Sequence, residues 1–285
     1  MSSINCKSRL LSFDEPVVMG ILNTTPDSFH AESRVQHVEH ALRRAEEMLV
    51  EGAGIIDIGG QSTRPGSERV SEDEELARVM PAVENIARNF PLAVLSIDTF
   101  YSKVARYAVE AGASIVNDVS AGSIDPLLIP TVAELRVPYV LMHMQGDPQT
   151  MQAAPRYDDV LLDVFDALNR KRQEIEAAGI IDVIIDPGFG FGKTRAHNYR
   201  LLAGLSVFTK MERPLLIGLS RKGMVYKPLG ITPEEAGNGT SVLNTLALQE
   251  GASILRVHDV REARQAVQLF GLYRQQKEQP GGRSF

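Results

Sequence analysis

Eight short apolar segments punctuate the chain, at residues 17–22, 55–58, 93–97, 114–116, 139–142, 183–185, 215–219 and 253–257. Each is apolar at consecutive rather than alternate positions, the pattern of parallel strands covered on both faces. Helical periodicity fills the intervals. Val38, Leu42, Ala45, Met48 and Leu49 recur at three- and four-residue steps, and 72–88, 103–110, 160–178 and 263–273 behave alike. Gly52, Gly112, Gly179 and Gly251 each stand just before a strand, where glycine supplies the left-handed turn that ends a helix. Eight such units in 285 residues predict an α/β fold of the (β/α)₈ TIM-barrel type in a single domain. An open doubly wound sheet is the alternative. The barrel is expected to span 17–274. The segment 1–16, β-like over 4–13, should pack on the barrel bottom, and 275–285 reads as a flexible tail.

Composition narrows the partners. The formal net charge of -6 opposes general nucleic-acid binding, so any bound anion needs a local cationic cluster. No apolar stretch approaches the roughly 20 residues of a membrane span, and the first residues lack the pattern of a secretion signal. Cys6 is the only cysteine, which rules out an internal disulfide and fits a reducing, cytoplasmic setting. Beside Lys7 it is read as a packing residue rather than a reactive thiol.

In barrels of this kind the active site lies at the C-terminal strand ends. Those ends carry Asn23, Asp57, Asp98, Asn117, His143, Asp186, Ser220, Lys222, Arg256 and His258. After the sixth strand comes Asp186-Pro-Gly-Phe-Gly-Phe-Gly-Lys193, a carboxylate opening into a loop with three glycines and two aromatics. Asp98, Asn117 and Asp186 suit the edge of a nitrogen heterocycle, since a carboxylate matches paired ring N–H and amine donors. Lys222 could donate to a carbonyl oxygen of the same ring. Arg64, Arg256 and His258, with Asn23, could hold a phosphate or pyrophosphate. The ligand suggested is a flat polar ring bearing an anionic leaving group.

Other residues take plainer readings. Asp57 and Asp118 are read as loop caps or braces, and His143 as a hydrogen-bonded core histidine. Lys193 is read as solvated, with least to do in its loop. His30, His37, His40 and His197 are read as surface residues.

The segments Gly20–Phe29 and Asp57–Gly66 resemble the two signatures of the dihydropteroate synthase family. Ser96-Ile-Asp-Thr99, Asn117–Gly122, Met142-His-Met-Gln-Gly146, Asp186–Lys193, Gly218-Leu-Ser-Arg-Lys222 and Arg256-Val-His-Asp259 are similar to further segments of that family, in order along nearly the whole chain. The resemblance implies condensation of 6-hydroxymethyl-7,8-dihydropterin pyrophosphate with 4-aminobenzoate, giving 7,8-dihydropteroate and pyrophosphate in folate synthesis. It implies that Asp98, Asn117, Met142, Asp186, Lys222 and Arg256 bind the pterin. Asn23, Arg64, Arg256 and His258 would take the pyrophosphate, with Mg²⁺ at Asn23. Thr63, Pro65, Phe191, Ser220 and Lys222 would surround the aminobenzoate, with the N-terminus of the helix after Ser220 aimed at its carboxylate. Asp98, Asp186 and Lys222 would carry the catalysis. A homodimer through helices outside the barrel is also implied.

Three segments depart from the family pattern. His30-Ala-Glu-Ser33 replaces a glycine-containing stretch and predicts a stiffer first loop. Gln61 stands where Glu is common. Ala236–Thr240 replaces a basic segment, with no role evident from sequence. The rival readings are a pterin-dependent methyltransferase barrel and a catalytically silent pterin-binding protein.

Overall fold

The computed structural model describes residues 3–7, 9–24, 31–61, 69–146 and 155–278, the side chains of 31–35 and 278 excepted. Ten strands and nine α-helices lie among these residues. Strands β1 (Ser3–Cys6) and β2 (Arg9–Ser12) form an antiparallel pair. The eight others are β3 (Val17–Asn23), β4 (Ile55–Gly59), β5 (Val94–Asp98), β6 (Ile115–Asp118), β7 (Tyr139–Met142), β8 (Val183–Asp186), β9 (Leu216–Ile217) and β10 (Ile254–Val257).

These eight form one sheet in the order β8-β7-β6-β5-β4-β3-β10-β9, with parallel pairing throughout. A parallel bridge between Ile185 and Leu215 joins the two ends, so the sheet curls into a barrel. The closed barrel, not the open sheet, is the architecture. β9 is shorter than its apolar run because Leu215 makes this bridge and the ladder ends at Ile217.

The helices are α1 (Ala31–Val50), α2 (Glu72–Asn89), α3 (Ser102–Ala111), α4 (Leu128–Leu135), α5 (Val160–Ala177), α6 (Arg195–Ala203), α7 (Gly223–Leu229), α8 (Gly237–Gln249) and α9 (Val260–Glu278). A 3₁₀ segment, Leu205–Met211, follows α6. Local chemistry sets their ends. Ser71 accepts from Glu74 N at the start of α2, whose first turn holds four acids complementary to the helix dipole. Gly52, Gly112, Gly179 and Gly251 all adopt the expected positive φ, between 99° and 131°.

Two apolar layers hold the barrel. Outward side chains of the strands merge with the inner faces of the helices in the larger core. Inside the barrel, Met19, Ile55, Val94, Ile115, Val140, Ile184, Leu216 and Ile254, near the strand N-termini, cluster with buried Ile4 and Cys6 of the hairpin. Burial also raises the Cys6 thiol to about 12, which leaves it unreactive. Ala31, Glu32 and Ser33 belong to the first turn of α1 rather than to a loop, and His30 lies outside the described residues. Among the described residues no helix is long and apolar enough to cross a membrane.

Candidate active site

The hydrophobic layer fills one end of the barrel and leaves the other to polar groups. Asp57 of β4 has no solvent exposure. Its Oδ2 accepts from Arg256 Nε at 2.6 Å and from Asn117 Nδ2 at 3.0 Å. Arg256 Nη2 donates to Oδ2 of Asp98 at 2.6 Å. One guanidinium therefore ties β4, β5 and β10 together, and Asn117 adds β6. Burial opposes the charge on Arg256, but Asp57 and Asp98 hold it firmly protonated. Burial also pushes the Asp98 carboxyl up, while Arg256 and Lys222 pull it down.

Asp186 closes β8 and turns the chain into the glycine loop by accepting from Gly188 N–H at 2.7 Å. Its carboxyl is raised by burial and restrained by Lys222 and that N–H. Lys222, at the N-terminal boundary of α7, donates from Nζ to the Phe189 carbonyl and lies 4.6 Å from the Phe191 ring centroid. Burial lowers its ammonium to about 8, against the pull of Asp186. Phe191 belongs to a small buried cluster with Phe100, Val119 and Met142. An ammonium, two carboxylates and an apolar wall thus share one mouth.

A second group lies beside it. Ser220 Oγ is 2.9 Å from His258 Nδ1 and also accepts from His258 N at 3.2 Å. Arg221 between Ser220 and Lys222 has a left-handed backbone (φ 55°). Its guanidinium grips Asp259 at 2.5 and 3.1 Å, and its N–H donates to Thr240 Oγ1 at 3.3 Å. The segment 236–240 therefore acquires a role. It starts α8, braces the Ser220–Lys222 turn through Thr240, and places Gly239 where a Cβ would meet Val225 at 2.8 Å.

At the second loop, Gln61 Oε1 accepts from Val70 N–H at 2.8 Å and Tyr101 donates its hydroxyl to the Val70 carbonyl at 2.7 Å. Arg69 stacks 4.7 Å from the Phe100 ring centroid. Thr63, Arg64 and Pro65 lie outside the described residues. Asn23 ends β3, exposed and paired in register with Gly59.

The structure thus gathers Asp98, Asn117, Asp186, Lys222 and Arg256 into one cluster, lines it with Met142 and Phe191, and sets Ser220 and His258 next to it. Asp118 is a brace as expected, accepting from Ser120 N, Gly122 N and the Tyr139 hydroxyl. His143 is structural, held near 3 by burial and by Lys193. His37 and His40 are exposed. Two readings are corrected, and a surface residue gains a role. Asp57 anchors Arg256 and Asn117 rather than a loop. Lys193 is not solvated but 3% exposed, surrounded by backbone carbonyls. His197 accepts from Thr194 N–H to complete a capping box on α6, with its ring edge-on to Tyr157. Sequence also passed over Arg221, whose left-handed turn no residue type announces.

The barrel has carboxylates, an amide and a lysine gathered at one mouth, and residues 19–258 match the pterin binding enzyme family. Dihydropteroate synthase of Escherichia coli K12 is 44% identical over 261 residues, which is 91% of this chain and 92% of that enzyme. The Yersinia pestis dihydropteroate synthase in a sulfonamide drug complex superposes with a TM-score of 0.90 at 42% identity, covering 96% of this chain and 100% of that one. The Xanthomonas albilineans enzyme in complex with 7,8-dihydropteroate gives 0.84 at 38%, covering 98% and 100%. The chain belongs to the dihydropteroate synthase family, transferases of folate biosynthesis.

Proposed function

We propose that this site condenses 6-hydroxymethyl-7,8-dihydropterin pyrophosphate with 4-aminobenzoate to give 7,8-dihydropteroate and pyrophosphate. The observation that carries the reading is the convergence of Asp98, Asn117, Asp186, Lys222 and Arg256 at one barrel mouth. In this assignment Asp186 and Asn117 read the amine and ring N–H edge of the pterin, Lys222 its carbonyl, and Met142 packs on its face. Asp98 and Arg256 lie toward the reacting carbon and the first phosphate. Asn23, Arg64 and His258 take the pyrophosphate, while Thr63, Pro65, Phe191, Ser220 and Lys222 enclose the aminobenzoate.

Departure of pyrophosphate breaks the C–O bond and takes its electron pair, leaving positive charge spread over the pterin. Asp98 and Asp186 oppose that charge from largely buried positions. The arylamine then attacks with its lone pair, forms the C–N bond, and sheds a proton to solvent or to the departing diphosphate. No strong base is required for that loss, because an alkylated arylammonium is itself strongly acidic.

Mg²⁺ fits the donors present. Among the described residues no cluster of three or more His, Cys, Asp or Glu is placed to hold an ion. Exposed Asn23 offers one amide oxygen, and a magnesium ion bound chiefly through substrate phosphates needs few protein ligands. When bound, it would supply charge neutralisation of the leaving pyrophosphate. Exposed Val242 and Leu246 of α8 with Leu269, Leu272 and Tyr273 of α9 support pairing of two barrels through their outer helices. A single buried thiol supports a cytoplasmic setting.

The test is pyrophosphate release assayed with each substrate alone and with both. Release only with both, together with 7,8-dihydropteroate formation, is the expected result. Tight pterin binding without release would overturn the proposal.

A further inference from the structure

The Lys193 ammonium occupies a cage made almost wholly of backbone. Nζ donates to the carbonyls of Gly188 at 2.9 Å, Phe191 at 3.0 Å and His143 at 3.2 Å, and lies 3.0 Å from His143 Nδ1. The loop can curl this way because Gly188, Gly190 and Gly192 all have positive φ, between 60° and 84°, and the curl turns the Gly188 and Phe191 carbonyls inward. The loop is also pressed against residues 143–145. A Cβ on Gly188 would overlap the His143 carbonyl oxygen, and one on Gly192 would come within 3.0 Å of Gln145 N. Outer bonds complete the frame: Asn198 Oδ1 accepts from Gly190 N–H at 2.7 Å, and Tyr157 donates to the Gly192 carbonyl at 2.8 Å.

Another carbonyl of the loop turns toward the site rather than the cage. Phe189 offers its oxygen to Lys222 instead, and Phe191, whose own carbonyl is held by Lys193, lays its ring beside the Lys222 ammonium. The two lysines thus grip one loop from opposite sides, one inside the protein and one in the site.

We infer that Lys193 is a positioning residue for the second substrate. Its ammonium fixes the curl of residues 188–192, and so sets the Phe191 ring that walls the aminobenzoate and the Phe189 carbonyl that aims Lys222. This rests on the functional reading given above. A hydrocarbon side chain in its place would leave the His143 and Phe191 carbonyls without this donor and the Gly188 carbonyl with the Phe191 N–H alone, at 3.2 Å, and a buried acceptor left unpaired carries a desolvation penalty. The loop would relieve that penalty by turning its carbonyls toward solvent, carrying Phe191 with it.

The test is Lys193→Met in steady-state kinetics, with folding checked by circular dichroism and thermal melting. The expected result is a rise of about tenfold in the KM for 4-aminobenzoate with kcat within about threefold of the parent, the signature of lost ground-state placement. A lysine that only stabilised the fold would lower the melting temperature and leave that KM unchanged, which overturns the inference. Should the methionine variant not fold, Lys193→Gln takes its place under the same criterion, since its shorter side chain and two N–H groups cannot supply all three of the lysine's bonds. If the parent enzyme itself shows no two-substrate turnover, the functional reading fails instead, so the two failures are distinct.

Discussion

Asp57 and Arg256 stand 199 residues apart in sequence and meet at 2.6 Å in the barrel mouth, carboxylate Oδ2 to guanidinium Nε. Asp57 reaches no solvent, and its Oδ2 also holds the Asn117 amide. The pair therefore orients two groups assigned to the substrate without Asp57 touching it. Removing one partner of a buried ion pair leaves an unpaired charge, and Asp57→Ala should cost about 3 kcal/mol of stability. The same change leaves Arg256 held only by Asp98 and takes the acceptor from the Asn117 amide, so kcat/KM for the pterin substrate should fall about a hundredfold. Urea denaturation and steady-state kinetics read both effects. Activity within threefold of the parent would show that Arg256 is placed by Asp98 alone.

Glu75 gives a pH prediction. It is fully buried on α2, neither carboxylate oxygen has a hydrogen-bond partner among the described residues, and burial raises its carboxyl to about 7 against the opposing effects of Thr99 and Arg78; Asp98 adds to the rise. In the unfolded chain the group ionises near the ordinary value of 4.5. Between those values the folded protein binds the extra proton, so stability is highest below pH 4.5 and declines as pH rises toward 7. The contribution is about 3 kcal/mol across that interval. Glu75→Gln should abolish it, and denaturant midpoints at pH 5 and pH 8 should then differ less than in the parent. An unchanged difference would mean that the carboxyl ionises inside the fold at ordinary pH.

The barrel was legible because its signals are local and repeated. Consecutive apolar residues mark a strand covered on both faces, and a glycine before a strand marks a left-handed helix end. Gly52, Gly112, Gly179 and Gly251 carry that signal in the sequence and adopt that backbone in the structure. The strand-end chemistry was legible for a related reason, since barrel topology brings residues at strand ends together wherever they lie in the chain. What escaped depends on tertiary partners. A lysine after three glycines reads as solvated until the curled loop and β7's end bring the carbonyls of Gly188, Phe191 and His143 around it. Asp57 reads as a loop brace because Arg256, its real partner, lies at the far end of the sequence. His197 does lie at the surface, but its capping role escaped because a histidine rarely takes the N3 place of a capping box.

Gly188 and Gly230 separate backbone strain from steric overlap. Both have left-handed φ, 70° and 66°, but a Cβ on Gly230 would meet nothing within 4 Å, whereas one on Gly188 would strike the His143 carbonyl. Gly230→Ala should cost about 1 kcal/mol, the penalty for a non-glycine residue in that region. Gly188→Ala should cost at least about 3 kcal/mol, since residues 186–193 must also move away from β7. Paired denaturation curves test this. Equal losses would show that the loop moves aside freely, which would also weaken the role given to Lys193.

Lys222 should set the alkaline limb of the reaction. Burial lowers its ammonium to about 8, and Asp186 and Asp98 keep it from falling further while Arg256 pushes it down. The cation is the form that donates to the pterin carbonyl and to Phe189, so binding competence is present below that value and lost above it. The profile of kcat/KM for the pterin substrate, which reports the free enzyme, should therefore decline above about pH 8. Arg256 stays charged throughout that range and contributes no step. Lys222→Met should lower kcat/KM by about a hundredfold and flatten the limb, because no group assigned to the pterin would then lose a proton there. Burial also lowers the Lys193 ammonium, to about 7 against the pull of Asp186, but it faces the loop's carbonyls and not the substrate, so Lys193→Met should keep the limb set by Lys222. A limb that persists unchanged in Lys222→Met would assign the titration to another group and remove Lys222 from the catalytic set.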